Sequence, residues 1–183
     1  MLDKKILLLS CCAPCSAAVI EKLKNDGMDF EVVFFNPNIH PVTEYIKRRD
    51  EQLRYCEELG VKCIELEYEP EKWFDAVKGF ENEPERGKRC AICFYYRLKM
   101  VMEFAKANGF DGVASVLGVS RWKDLNQVNR AGDKASQEVG VPYIEIEGRK
   151  NGMQQRRIEL IKEWEMYSQD YCGCVYSMIK KDK

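Results

Sequence analysis

The sequence has little net charge, one histidine and no long apolar segment. Its 29 basic and 30 acidic side chains leave a net charge of −1, so the molecule as a whole does not attract nucleic acid, and a polyanion must bind a local basic patch. No run approaches the ~20 apolar residues of a membrane span, and residues 6–9 are fewer than the roughly 7–15 of a secretory signal. We therefore expect a soluble, cytoplasmic protein with reduced thiols and no membrane partner.

Short apolar runs alternate with segments of helical period. Runs of strand length that are rich in β-branched or aromatic residues cover positions 5–9, 30–35, 61–66, 112–117 and 141–146. Segments of helical period cover positions 16–26, 42–59, 73–77, 91–108, 125–139 and 154–164. This alternation predicts a single domain over residues 1–183: an α/β fold with one doubly wound, mainly parallel sheet, Rossmann-like or HUP-like, and a cysteine-bearing helical C-terminal segment.

The turn between the first predicted strand and helix contains no glycine. Phosphate-binding turns at this place use glycines to expose backbone N–H groups, whereas residues 10–16 here read SCCAPCS. Ionised cysteines at this turn would also repel phosphate. We therefore do not expect nucleotide binding there, which weighs against one alternative function, a thiolation enzyme or other nucleotide-dependent tRNA modifier on a related fold.

Cysteine is abundant, and seven of the nine cysteines fall into three tight groups. The groups are Cys11, Cys12 and Cys15 in CCAPC, Cys90 and Cys93 in CAIC, and Cys172 and Cys174 in CGC. Such spacing is typical of metal ligands, because a thiolate site needs several sulfurs that converge from short, turn-prone segments. Disulfide frameworks belong to small secreted domains, and nine thiols would leave one unpaired.

The predicted topology indicates where these groups lie. CCAPC follows the first strand, residues 36–41 follow the second and residues 118–122 follow the fourth. In open α/β sheets ligands bind in the crevice beyond the carboxyl ends of the strands. We expect CAIC, at the start of a long helix, and CGC to fold over the same crevice. Cys11 and Cys12 are adjacent near a strand end, so their side chains are expected to diverge.

Spacing alone leaves the metal open between zinc and iron–sulfur. Seven cysteines exceed the needs of one tetrahedral site, which favours two metal centres or one cluster with further thiols beside it. The alternative function at this point is a zinc-thiolate module that binds RNA or protein without redox activity.

Several motifs together resemble the cobalamin-independent epoxyqueuosine reductases. They are CCAPCS after the first strand, NPNIHP followed by Tyr45 and Arg48, a CxxC pair with Arg97, and YSQDYCGC at residues 167–174 ahead of Ser177. The resemblance extends over nearly the whole chain. It departs at Cys15, where some members have aspartate, and at Ser168, where arginine is common. The segment SRWKD is similar to a serine–lysine pattern of the family, and its Lys123 is expected to replace the substrate contact that arginine would make at position 168.

The resemblance implies reduction of epoxyqueuosine to queuosine at the wobble position of tRNA, the last step of queuosine biosynthesis. It also implies an oxidoreductase with a 4Fe-4S cluster and a nearby second mononuclear metal, expected to be iron. A cluster passes electrons singly, so the reaction calls for a small electron-donor protein of the ferredoxin or flavodoxin type.

Site roles follow from the resemblance together with the position of each motif. The predicted cluster ligands are Cys90 and Cys93 with one or both of Cys11 and Cys12. The predicted ligands of the second metal are Cys15, Cys172 and Cys174. Residues with predicted catalytic roles are Cys15, Tyr167, Tyr171 and His40. Predicted substrate contacts are Asn36, Asn38, Tyr45, Arg48, Arg97, Lys123 and Gln169.

Some of these residues also have structural interpretations. His40, the only histidine, is either a proton donor or metal ligand, or a residue that shapes its loop. Tyr167 and Tyr171 either act at the site, by proton donation or base stacking, or cover the core. Cys56 and Cys63 are interpreted as inert, buried thiols.

Overall fold

The structure, a computed structural model, describes residues 4–178, so the predicted domain of residues 1–183 extends outside the described residues at both ends. The strands are β1 Ile6–Ser10, β2 Phe30–Phe34, β3 Cys63–Glu65, β4 Gly112–Ser115 and β5 Tyr143–Ile144. The helices are α1 Ala13–Asn25, α2 Val42–Glu58, α3 Pro70–Val77, α4 Lys88–Ala107, α5 Leu125–Val139, α6 Met153–Glu163 and α7 Val175–Met178.

The five strands form one parallel sheet in the order β3-β2-β1-β4-β5. Helix α1 packs against α2 and α6, whereas α4 packs against α3 and α5. Because crossovers between parallel strands are right-handed, these two sets of helices cover opposite faces of the sheet. The central strand β1 is accordingly buried on both sides, with Leu7, Leu8 and Leu9 inaccessible to solvent. The predicted doubly wound α/β fold is confirmed.

Helix starts differ from the prediction in a way that affects the cysteines. Helix α1 begins at Ala13 rather than residue 16, because Pro14 occupies its first turn, where a missing N–H breaks no helical hydrogen bond. Helix α4 begins at Lys88 rather than residue 91. As a result, Cys15 and Cys90 lie inside the first turns of helices instead of in the preceding loops.

The strand order reverses direction between β1 and β4. The chain builds outward from β1 through β2 to β3, then returns to the other side of β1 to add β4 and β5. This topological switch point opens a crevice beyond the carboxyl ends of β1 and β4, where open α/β sheets bind their ligands. Within residues 4–178, no helix is both long and apolar enough to cross a membrane.

Candidate metal centre and its cavity

The three cysteines that follow β1 form a compact group of buried thiols. The Sγ atoms of Cys11 and Cys12 are 3.9 Å apart, and all three sulfurs, including that of Cys15, lie within 4.8 Å of one another. Sulfurs on one tetrahedral ion, with metal–sulfur bonds of about 2.3 Å, are about 3.8 Å apart. The group therefore has the spacing of ligands to a single ion.

The expectation that Cys11 and Cys12 diverge is wrong. Alternation of side chains between faces requires a continuing strand, but β1 ends at Ser10 and Cys12 is already the N-cap of α1. The change of direction at this junction turns both sulfurs to the same side.

The three thiols of this group differ in pKa. Hydrogen bonds from Cys12 and Cys15 lower the pKa of Cys11 well below that of an ordinary thiol. The interaction with Cys11 raises the pKa of Cys12 to about 12 and also raises the pKa of Cys15. Cys11 is therefore the most readily ionised of the three thiols, and a metal ion bound here would displace the remaining protons. Gln169 Nε2 donates a further hydrogen bond to Cys12 Sγ at 2.8 Å.

The CAIC pair occupies the start of α4. Cys90 and Cys93 are three residues apart on this helix, so they share a face. The backbone N–H of Arg86 donates to Cys90 Sγ at 3.3 Å. Burial raises the pKa of Cys90 to about 11 and also raises the pKa of Cys93.

The CGC tail is held in place by Arg48 of α2. This side chain is only 2% exposed, and its Nη1 and Nη2 donate to the carbonyl oxygens of Cys172 and Tyr171, each at 3.1 Å. Its Nε donates to Glu44 Oε1 at 2.7 Å, and Tyr167 Oη donates to Glu44 Oε2 at 2.8 Å. Arg48 therefore uses its guanidinium to position the cysteine tail.

The loop after β2 provides a second attachment for the tail. The backbone N–H of His40 donates to the Gly173 carbonyl oxygen at 2.7 Å, and Tyr171 Oη donates to the His40 carbonyl oxygen. Gly173 has a φ of +100°, and a Cβ at this position would lie 2.9 Å from Ile39 Cγ1 and 3.0 Å from Arg48 Nη1. A glycine is thus required both for the backbone conformation and for the close approach.

These elements enclose a cavity of about 510 Å³ at the switch point. Six of the seven grouped cysteines line it: Cys11, Cys15, Cys90, Cys93, Cys172 and Cys174. Cys93 and Cys174 also pack with the buried side chains of Trp73 and Val77. The predicted convergence of three distant segments on one crevice is therefore present in the described structure.

Cationic side chains surround the thiols. Arg97 donates from Nε to the Phe35 carbonyl oxygen at 3.3 Å and from Nη2 to Asn36 Oδ1. Lys123 Nζ lies 5.5 Å from the centroid of the Phe94 ring. Burial lowers the pKa of Lys123, but the nearby sulfurs of Cys172 and Cys11 raise it by more than burial lowers it. The resulting pKa is above the ordinary value for lysine.

Arg89 is the cation that sequence reasoning did not assign to the site. It is 1% exposed and lines the cavity, and its Nη1 donates to the carbonyl oxygens of Phe80, Glu81 and Glu83. Its Nε and Nη2 are buried and have no hydrogen-bond partner among the described residues. The feature of the sequence that could have identified Arg89 as a site residue is its position immediately before Cys90. Unpartnered buried donors are costly, so this part of the cavity fits an anionic group.

Among the predicted substrate contacts, Arg48, Arg97, Lys123 and Gln169 line the cavity, and so does Tyr171. The other predicted residues have structural contacts beside it. Asn36 Nδ2 donates to the Ser10 carbonyl oxygen at 2.9 Å, and the Asn38 carbonyl oxygen accepts from His40 Nδ1 at 2.9 Å. Tyr45 Oη donates to Glu65 at 2.9 Å.

The histidine ring packs against aromatic side chains. The centroids of the Phe74 and Trp73 rings lie 4.7 Å and 5.6 Å from that of His40. Burial lowers the pKa of His40, so the imidazole is neutral near pH 7. Cys56 and Cys63 do not line the cavity; Cys56 is buried and accepts a hydrogen bond from Gln52 Nε2, whereas Cys63 is half-buried.

The fold and the cavity define a class of protein: a doubly wound, parallel α/β protein that gathers thiols at its topological switch point. A sequence model of the family described as epoxyqueuosine reductase QueH matches residues 6–180. The chain belongs to this family.

Comparison with curated proteins agrees with this membership. Epoxyqueuosine reductase QueH of Histophilus somni is 47% identical over 180 residues, which cover 98% of this chain and 74% of that protein. The protein of the same name from Haemophilus influenzae is 46% identical with the same coverage. Among solved structures, the U34-tRNA thiolase NcsA from Methanococcus maripaludis, with its [4Fe-4S] cluster, has a similar fold. Its TM-score is 0.59 at 14% identity, over 96% of this chain and 61% of that chain.

Proposed function

We propose that this protein is an oxidoreductase that reduces epoxyqueuosine to queuosine at the wobble position of tRNA, the last step of queuosine biosynthesis. Membership of the epoxyqueuosine reductase family over residues 6–180 supports this activity. The structural observation that carries it is the convergence of six cysteines on one cavity at the switch point of the sheet. A zinc-thiolate binding module without redox activity is not favoured by the comparisons.

A 4Fe-4S cluster and a second metal, iron, fit the donors that the cavity offers. All nine cysteines are free, and those in the cavity are buried or half-buried. The cations that face them offset the negative charge of thiolates and bound sulfide. Arg89 offers such an anionic group two buried nitrogen atoms that have no partner in the part of the chain that the structure describes. When bound, the cluster would supply single electrons and the second metal would act as a Lewis acid.

The spacing of the sulfurs suggests how the two centres divide the cysteines. Cys11, Cys12 and Cys15 are close enough to bind one ion. Sulfurs that each bind a different iron of a cluster lie farther apart, which leaves the other four cysteines for the cluster: Cys90, Cys93, Cys172 and Cys174. We favour this division over the one based on the sequence, in which Cys90 and Cys93 share the cluster with one or both of Cys11 and Cys12.

The overall reaction converts an epoxide to an alkene with two electrons and two protons, and the oxygen leaves as water. Apart from the cysteines, which we assign to the metals, two predicted site residues that line the cavity, Tyr171 and Lys123, carry a proton that side chains of their type can transfer. The proton of Tyr171 is already donated to the His40 carbonyl oxygen. We therefore assign proton donation to Lys123 Nζ, while Tyr171 and Arg48 hold the cysteine tail.

The proposed partners follow from this chemistry. The substrate is tRNA that carries epoxyqueuosine, whose wobble nucleotide must enter the cavity. Electrons come from a small ferredoxin- or flavodoxin-like protein. We place the protein in the cytoplasm, where thiols stay reduced, in agreement with nine free cysteines in the described structure.

The test is to purify the protein without oxygen, measure iron and acid-labile sulfide, and incubate it with tRNA containing epoxyqueuosine and a low-potential reductant. We expect a brown protein that contains both elements and converts the nucleoside to queuosine, seen by mass spectrometry as the loss of one oxygen atom. Removal of the metals with a chelator should abolish turnover, and chelator-free incubation under the same conditions is the control. A colourless protein that contains zinc but no sulfide would refute the proposal.

A further inference from the structure

Trp122 is the most exposed of the large apolar side chains in the described residues. It is 82% exposed, and it lines the same cavity as the cysteines. Because Cys11 and Cys15 of this cavity are buried, Trp122 lies at the mouth and the thiols lie deeper. An indole held in water forgoes the favourable free energy that burial of a large apolar side chain provides, so its position calls for a partner that covers it.

The exposure of Trp122 does not come from a loosely held loop. Two arginines donate hydrogen bonds to five carbonyl oxygens of the segment that follows β4. Arg149 donates at 2.6–2.7 Å to the carbonyl oxygens of Gly118, Ser120 and Lys123. Arg86 donates at 2.9 Å and 3.0 Å to those of Arg121 and Trp122. The backbone is therefore fixed from both sides while the indole remains uncovered.

We propose that Trp122 is a stacking platform for an unpaired base of the tRNA anticodon loop that neighbours the wobble nucleotide. This inference rests on the proposed function and goes beyond it by naming a residue that selects the macromolecular substrate. Proteins recognise single-stranded RNA loops by stacking splayed bases on aromatic side chains. A wobble nucleotide inserted into the cavity brings the next base to the mouth, where the indole lies.

The charges around the indole suit the same partner. Arg86 and Arg121 are exposed: Arg86 donates to the carbonyl oxygen of Trp122, and Arg121 precedes Trp122 in the sequence. Lys123 follows Trp122 in the sequence and lines the cavity. Cations next to an aromatic side chain match an RNA strand, whose phosphates and bases alternate along the chain. The net charge of −1 makes such a local site necessary, because the molecule as a whole does not attract RNA.

The experiment compares Trp122→Ala and Trp122→Phe with the unchanged protein, all in the metal-loaded state and at one fixed salt concentration. The control variant is Met28→Ala. Met28 is 41% exposed and precedes β2, at the opposite, amino end of the strands. Each protein is assayed for Kd with an anticodon stem-loop RNA, for kcat and KM with tRNA containing epoxyqueuosine, and for turnover of the free epoxyqueuosine nucleoside.

We expect Trp122→Ala to raise both Kd and KM about 10-fold or more, the range of one lost base stack, with kcat within 2-fold. Trp122→Phe should recover most of this loss, Met28→Ala should match the unchanged protein, and turnover of the free nucleoside should not change. Unchanged Kd and KM in Trp122→Ala would overturn the inference. Equal losses with tRNA and with the free nucleoside would also overturn it, since the indole would then contact the substrate base itself.

Failure of the proposed function gives a different pattern. If the unchanged protein binds the stem-loop but does not reduce the nucleoside, the Kd values of the variants still decide whether Trp122 stacks on RNA. If turnover occurs and all variants behave alike, the reductase activity stands and the stacking role does not.

Discussion

Two of the three groups of cysteines at the cavity, CCAPC and CGC, are held in different ways. Cys11, Cys12 and Cys15 lie within five consecutive residues that run from the end of β1 into the first turn of α1, and the buried core fixes both elements. Cys172 and Cys174 lie in a tail between α6 and α7, where Arg48 contacts the backbone from 124 residues earlier in the chain. The spacing of the first group is therefore set by local chain geometry, whereas the second group depends on a few long-range contacts.

This difference shows which half of the site can be altered without unfolding the sheet. Removing the clamp on the CGC tail should release two cysteines while the CCAPC group keeps its geometry. The three predictions that follow test this contrast, in order of decreasing effect.

Replacing cysteines should have the largest effect. We expect Cys90→Ser with Cys93→Ser to remove the acid-labile sulfide and the brown colour, because two of the four proposed cluster ligands are lost. Cys12→Ser with Cys15→Ser should lose only the iron of the second metal and keep the sulfide of the cluster. Each of the two double variants should be unable to turn over substrate. Iron and sulfide quantitation of anaerobically purified protein makes the measurement. Loss of sulfide in both pairs would contradict the proposed division and favour the one in which Cys12 binds the cluster.

Loss of the clamp should destabilise the protein strongly. Arg48→Met leaves the buried carboxylate of Glu44 without its cation and two tail carbonyl oxygens without donors. We expect a decrease of about 3–5 kcal/mol in the free energy of unfolding, measured by denaturant titration. Arg54 of the same helix pairs with Glu51 and Glu58 but is 41% exposed, so Arg54→Met should cost at most about 1 kcal/mol. Similar losses in both variants would show that Arg48 has no special role.

A smaller effect is expected from Gly173→Ala. Alanine at this position would have to keep a positive φ, and its Cβ would press on Ile39 and Arg48. We therefore expect the free energy of unfolding to fall by about 1–3 kcal/mol and the iron and sulfide content to decrease. Gly60→Ala is the matched control: its φ is +65°, but a Cβ there meets no atom within 4 Å. It should lose about 1 kcal/mol in thermal or denaturant unfolding while keeping its metals. Full metal content in Gly173→Ala would show that the tail tolerates displacement.

Most of the fold could be predicted from the sequence because its signals are local. Strand-length apolar runs alternated with helical segments, and all five predicted strands occur, though β3 and β5 are shorter than their runs. The ends of strands and helices were less accurate, since hydrogen bonding with neighbouring elements decides them. Pro14 shows the reverse case: a local rule, that proline suits a first helical turn, explains why α1 begins before Cys15.

The candidate site was predicted in its composition and less fully in its arrangement. The cysteine groups and their approach to one crevice followed from spacing and topology. The clustering of Cys11 with Cys12 did not, because strand alternation stops where the chain turns into α1. Nor did the clamp role of Arg48 or the place of Arg89, because a basic residue in a sequence carries no record of which distant carbonyl oxygens it contacts.

The sequence by itself determined that this protein is a parallel α/β protein with thiols at its first turn and no glycine there to receive a phosphate. Periodicity and spacing are properties of neighbouring residues, and they survive without any knowledge of the fold. Only the tertiary structure decided that Arg48 holds the CGC tail, that Arg89 lines the cavity with two donors that find no partner within residues 4–178, and that Trp122 lies at the mouth of the cavity. Those facts depend on which surfaces come into contact when the chain packs, and the side chains that form these contacts are far apart in the sequence.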